Sequence, residues 1–277
     1  MTLRFAPLSV ALPPGCSGVR VDVMEVAPLV AMMPAGDWPE SMRDAADSRR
    51  ADYLAGRLAA REAVRLATGR DARIGRADDG SPCWPDGIEG SISHYGGVAA
   101  AVARRVGKAD PVGLAQRVGK ADPVGLAGET RGGIGIDIAP LLEGDRLRAV
   151  MRRCLTDNER SAQPSEAAVS LTFAAKEALF KAAHPRAQRF IGFDEAEISV
   201  VGAPSRPSVP PSGHLVTASG QRTGSGAKDG TASGQRTGSG GWSAVLADDL
   251  ARLLGVATVY GTYAWEHGLV YAVVAID

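Results

Sequence analysis

The clearest patterned stretch lies between residues 44 and 68. Ala, Leu and Arg dominate it, apolar positions recur at helical spacing, and Gly69 follows as a stop signal, which predicts a helix over Asp44–Thr68. A second long helix is expected over Pro164–His184, with Thr156 and Glu159 upstream spaced as a capping box for a preceding turn. Short apolar runs predict strands over Val19–Pro28, Gly97–Arg105, Gly133–Ile138 and Phe193–Val201. Ser91-Ile92-Ser93-His94 alternates as a strand, after a turn fixed by Gly and Pro in Gly80–Pro85. Trp242, Val245, Leu246, Leu250 and Leu253 share a helical face, so an amphipathic helix is expected over Trp242–Leu254. Val259–Trp265 and Leu269–Ala275 flank His267-Gly268, a hairpin signal. Helix and strand clusters on both sides of residue 133 give an α+β fold in two similar-sized halves, residues 1–132 and 133–277.

Two duplications interrupt this pattern. Arg105–Ala115 recurs identically as Arg117–Ala127, and Thr217–Gly226 as Thr231–Gly240. Two short copies do not build a solenoid. The first pair, residues 105–127, reads as an extended loop. The stretch from about 203 to 241 is Pro-rich, then Gly/Ser/Thr-rich, and reads as a flexible surface insertion.

Lys plus Arg and Asp plus Glu each number 31, which argues against a chain-wide nucleic-acid or membrane-surface binder while leaving room for a local basic groove. A hydrophobic content of 45% with 22% charged residues belongs to a soluble globular protein. Cys16, Cys83 and Cys154 lie too far apart for a zinc motif or a disulfide framework. No run reaches the roughly 20 apolar residues of a membrane span. The first ten residues are too weakly patterned for a signal peptide, so a cytoplasmic location is expected.

Four constellations carry candidate chemistry. In GIGIDIAP, alternation turns Asp137 to the face opposite Ile136 and Ile138; it is either a half-exposed strand carboxylate or a hard oxygen ligand for Mg²⁺. In FAAKEALFKA, Glu177 and Lys181 are four apart, in the orientation of a surface ion pair. They share a ridge with Phe173, which opens a second reading: a partly buried carboxylate acting as ligand or base, beside a lysine that stabilises a phosphate leaving group. His94 is a satisfied structural histidine, or a base for a serine nucleophile beside it. The adjacent Ser93 points to the opposite face, which is poor geometry for a nucleophile–base pair. Arg50, Arg57, Arg61 and Arg65 fall on one helical arc with Leu54 and Leu58; they are solvated, or they hold phosphate through forked hydrogen bonds.

Taken in order, RLAAR (Arg57–Arg61), GSPCWP, GSISH, GIGIDI and FAAKEALFK resemble the surfactin/enterobactin-type 4′-phosphopantetheinyl transferases over roughly residues 45–185, apart from the first duplication. The resemblance implies a monomer of two α+β halves related by pseudo-twofold symmetry, with coenzyme A and Mg²⁺ in the cleft between them. It implies Asp137 and Glu177 as Mg²⁺ ligands, Glu177 as an aid to deprotonation, and Lys181 as the group that stabilises departing 3′,5′-ADP. Arg57, Gly80, Ser81, Pro82, Ser93, His94 and Lys176 would bind the nucleotide and its phosphates, with Lys181 also in contact. The expected partner is an apo acyl or peptidyl carrier protein of siderophore or other secondary-metabolite biosynthesis. Ala139 stands where the family usually has a glutamate, which implies weaker metal binding. Two other readings stay open: a catalytically weak relative that only binds coenzyme A, and a carrier-docking scaffold without cofactor.

Overall fold

The computed structural model describes residues 2–106, 133–162, 164–201 and 238–277. The first duplication, beyond Arg105 and Val106, and the second, before Gly238, lie outside the described residues. Eleven strands form two main antiparallel sheets and a small hairpin among these residues.

The first sheet takes its strands from the N-terminal part of the chain: β1 (Leu3–Pro7), β2 (Cys16–Val23), β5 (Ile88–Tyr95) and β6 (Val98–Arg105), in the order β1-β2-β6-β5. Two short helices, α1 (Val26–Ala31) and α2 (Glu40–Arg43), lead into α3 (Asp47–Thr68). The long helix starts three residues after the expected point and ends as expected on Gly69, whose φ of +73° and N–H bond to Arg65 O close the last turn. It packs on the sheet through Leu54, Ala55, Ala59 and Ala63 against Val21, Ala99, Ala101 and Ala103. Val21 and Val23 lie in a strand as expected, whereas Val26 opens a helix. β1 was not legible, because Pro7 breaks its short apolar run.

The second sheet has the order β7-β11-β10-β9-β8, from β7 (Gly133–Pro140), β8 (Ala196–Val201), β9 (Gly238–Leu246), β10 (Thr258–Glu266) and β11 (Leu269–Ile276). It is covered by α6 (Glu166–Ala187), which follows α4 (Gly144–Cys154) and α5 (Asp157–Ser161). The Thr156/Glu159 capping box forms as read. His267 and Gly268, both at positive φ, make the two-residue turn between β10 and β11. The sheet faces turned away from the helices meet through Ala100 and Val102 on one side and Ile134, Ile136, Ile138, Tyr271 and Val273 on the other. The fold is thus mixed helix and sheet, in line with the α+β expectation.

Three further expectations need correction. Trp242–Leu254 is a strand, β9, followed by the short helix α7 (Asp248–Leu254). Trp242, Ala244 and Leu246 point into the core while Val245 is 58% exposed, so the operative period there is two, not 3.6. The strand also takes in Gly238–Gly241, which the composition assigned to the insertion. Phe193–Glu195 is a 3₁₀ turn, and the strand begins only at Ala196. All three cysteines are free.

Candidate active site

The site grows out of the contact between β7 and α6. Gly133 and Gly135 share a strand face with Asp137 and Ala139, and that face meets α6 at close range: a Cβ on Gly135 would lie 2.8 Å from the carbonyl carbon of Ala178 and nearer still to its oxygen. This approach carries Asp137 to the ridge of α6 that bears Glu177 and Lys181. Asp137 Oδ1 accepts hydrogen bonds from Lys181 Nζ at 2.6 Å and Ser93 Oγ at 2.7 Å. Lys181 also donates to the carbonyl of Ile136 at 3.1 Å and stays partly open to solvent, while Asp137 is buried. The carboxyl of Glu177 is pushed above the usual carboxylate range, first by burial and then by the charge on Asp137, with Lys181 acting in the opposite sense. Lys181 is thus paired with Asp137, and its charge acts on Glu177 as well.

On the neighbouring sheet, Ser93 and His94 point to opposite faces of β5. Ser93 is buried against Asp137; His94 is about half exposed, with Nδ1 3.6 Å from Oδ2 of Asp52 on α3. Arg57, one helical turn after Tyr53, places its guanidinium carbon 5.1 Å from that ring centroid. Its Nη1 is buried and has no hydrogen-bond partner among the described residues. A buried cationic donor left open in this way suits an anion. The other arginines of the arc are committed: Arg50 to the Met42 carbonyl at 2.9 Å, Arg61 to Asp71, and Arg65 to Glu62 at 2.7 Å.

Gly80, Ser81 and Pro82 shape the turn between β3 (Gly75–Arg76) and β4 (Pro82–Cys83). Gly80 sits at φ +91°, and the N–H and hydroxyl of Ser81 both donate to Asp79, at 2.9 and 2.7 Å. These bonds, the hydroxyl's first, hold the Asp79 carboxyl below its usual range.

Lys176 does not join the cluster. It is fully buried, and its ammonium donates to Glu159 at 2.7 Å, to the Cys154 carbonyl at 2.9 Å and to the Phe193 carbonyl at 2.7 Å. All three donors are used, so none is left for a phosphate. Its assignment to nucleotide binding is corrected to a structural tie between α5, α6 and the turn before β8. Asp52 and Tyr53 escaped the sequence reading, although Tyr53 stands four residues before Arg57, the spacing of neighbours on one helix face.

Among the described residues no group of three or more His, Cys, Asp or Glu side chains forms. The hard-oxygen pair Asp137 and Glu177 still fits Mg²⁺, which commonly takes one or two carboxylates and completes its shell with water and phosphate oxygens. Ala139 shares the face of Asp137 as expected, but it is 1% exposed and belongs to the apolar cluster under α6.

A carboxylate pair with a lysine on β7 and α6, and an open guanidinium and a histidine on α3 and β5, are groups that could hold a phosphate-bearing substrate. Comparison with known proteins agrees. The 4′-phosphopantetheinyl transferase N-terminal domain model matches residues 39–104, and the 4′-phosphopantetheinyl transferase superfamily model matches residues 133–207. Enterobactin synthase component D of Salmonella typhi is 34% identical over 169 residues, 59% of this chain and 60% of that protein. The 4′-phosphopantetheinyl transferase PptT of Mycobacterium tuberculosis (strain ATCC 25618 / H37Rv) is 30% identical over 194 residues, 68% of this chain and 67% of that protein. Npt of Nocardia iowensis, also named a 4′-phosphopantetheinyl transferase, is 31% identical over 159 residues, 55% of this chain and 60% of that protein. The chain thus belongs to the 4′-phosphopantetheinyl transferase superfamily, while its match spans 60% of the length of the enterobactin relative.

Proposed function

We propose that this protein transfers 4′-phosphopantetheine from coenzyme A to a serine of an apo acyl or peptidyl carrier protein and releases 3′,5′-ADP. The observation that carries the reading is Asp137, held by Lys181 and Ser93 beside a desolvated Glu177. The serine oxygen attacks the β-phosphorus, the bond to the 3′,5′-ADP oxygen breaks, and the serine proton passes to Glu177 directly or through water. Lys181 neutralises charge on the departing diphosphate. Arg57 and His94 hold the nucleotide phosphates, and the Gly80–Pro82 turn borders the nucleotide. Mg²⁺ held by Asp137 and Glu177 would supply positive charge to the diphosphate. In this reading residues 1–132 and 133–277 are two pseudo-twofold-related halves flanking the cleft, and the protein acts as a cytoplasmic monomer. The relatives' names favour siderophore or related secondary-metabolite carriers as partners.

Incubation of apo-carriers with coenzyme A and Mg²⁺ is expected to add roughly 340 Da to the carrier serine, the mass of the transferred arm, read by mass spectrometry. No adduct on fatty-acid, polyketide or peptide carriers, with folded protein, would falsify the transferase reading. Calorimetry with and without Mg²⁺ separates the alternatives: metal-independent coenzyme A binding marks a non-catalytic relative, and no binding marks a docking scaffold. Arg57→Met is expected to weaken coenzyme A binding by about 1.5–3 kcal/mol, the worth of a hydrogen bond to a charged group. Unchanged affinity in that titration removes Arg57 from the pocket.

A further inference from the structure

β5 and β7 are edge strands of different sheets, and they lie side by side. An edge strand presents unpaired N–H groups, and buried ones need acceptors. Across this boundary the acceptors are side chains. Ser91 Oγ accepts the N–H of Ile136 at 3.1 Å, and Ser93 Oγ accepts the N–H of Ile138 at 3.1 Å. Both strands advance by two residues between these bonds, so they run parallel across the seam in a single register. Both serines are buried. Ser93 also bonds Asp137 and belongs to the site, whereas Ser91 anchors β7 one pleat earlier. Other ties between the sheets sit elsewhere: Arg20 to Glu266 at 2.8 Å, Arg104 to Asp277 at 2.6 Å, and Arg146 to the Tyr95 hydroxyl at 3.0 Å. None of those contacts joins β5 directly to β7.

We infer that the Ser91 hydroxyl is a positioning group for the site. By fixing β7 against β5, it sets the separation between Asp137, Glu177 and Lys181 on β7 and α6 and Arg57 and His94 on α3 and β5. The inference rests on the coenzyme A reading, because a ligand that touches both sheets makes that separation matter. A small misplacement of two binding groups costs such a ligand heavily even though every contacting residue is intact.

The test compares the full-length wild type with S91A and S91T, using coenzyme A calorimetry, steady-state kinetics and amide hydrogen exchange at Ile136 and Ile138. S91A is expected to weaken coenzyme A binding by on the order of tenfold, with KM moving more than kcat. It is also expected to speed exchange at both amides, and S91T, which keeps the hydroxyl, is expected to restore all three readouts. A folded S91A protein with wild-type affinity overturns the inference. So does weakened affinity with unchanged exchange at Ile138, since the seam has then not moved. Should S91A not fold, S91C, which keeps the bulk but offers only a weak acceptor, is judged by the same criteria. Failure of the wild type to bind coenzyme A sinks the functional reading instead. The seam is then decided by exchange alone: acceleration at both amides supports it, and acceleration at Ile136 only rejects it.

Discussion

Gly135→Ala is expected to destabilise the protein by more than about 4 kcal/mol, enough to unfold much of a marginally stable domain. The reason is space. Gly135 does not adopt a left-handed conformation, so alanine's backbone preferences impose no penalty there. The added methyl would fall on the backbone of Ala178, which belongs to α6 and has no rotamer through which to yield. Either α6 lifts away from β7 or the strand moves, and both responses open the alanine-rich packing of Ala174, Ala175, Ala178 and Ala182. Gly238→Ala is the control, because nothing lies within 4 Å of a Cβ there, and a change within about 0.5 kcal/mol is expected. Urea unfolding of both variants settles the matter. A Gly135→Ala midpoint near that of the wild type would mean that helix and strand are not in such close contact.

The same strand shows how far the sequence could be read. Alternation in GIGIDI was enough to turn Asp137 away from the isoleucines, and the i, i+4 spacing was enough to put Glu177 and Lys181 on one ridge. What stayed hidden was why the glycines share a face with Asp137, because close approach by a helix is a tertiary fact. Lys176 went astray for a local reason. It neighbours Glu177 in sequence but is rotated by about 100° around the helix. Its own ridge contains Val169, Thr172 and Ala183, all buried, and that ridge was the available sign that Lys176 is a core residue. Among the four arginines, periodicity found the arc; only the positions of Met42, Glu62 and Asp71 single out Arg57. β9 was misread because Trp242, Ala244 and Leu246 adjoin an apolar helix, so a single longer period fitted both elements.

Glu177→Gln and Asp137→Asn are both expected to lower transfer by on the order of 10²–10⁴-fold, while shifting stability in opposite directions. Glu177 is desolvated and faces the charge of Asp137, so the fold favours its neutral form. The stability this contributes is complete below the ordinary carboxylate pKa and is lost as pH rises through the elevated value. Above that value the wild type carries an ionised, poorly solvated carboxylate, and glutamine removes that charge at nearly constant volume. Glu177→Gln should melt above the wild type at pH 8, with the gap closing toward pH 4. Asparagine at 137 has the reverse effect. It cancels the charge that holds Lys181 and weakens the acceptor for Ser93, at a cost of about 1–2 kcal/mol because Lys181 remains partly solvated. Transfer by the wild type should also fall as pH drops through the elevated value, since a protonated Glu177 neither takes a proton nor binds a cation. Melting curves at both pH values, paired with transfer rates, separate the two roles. A Glu177→Gln protein that melts below the wild type at pH 8 would mean that the carboxylate is stabilised where it stands. If that variant also kept the wild-type rate, Glu177 and Lys181 would be an ordinary ion pair on a helix, and Asp137 alone would be left to serve the chemistry.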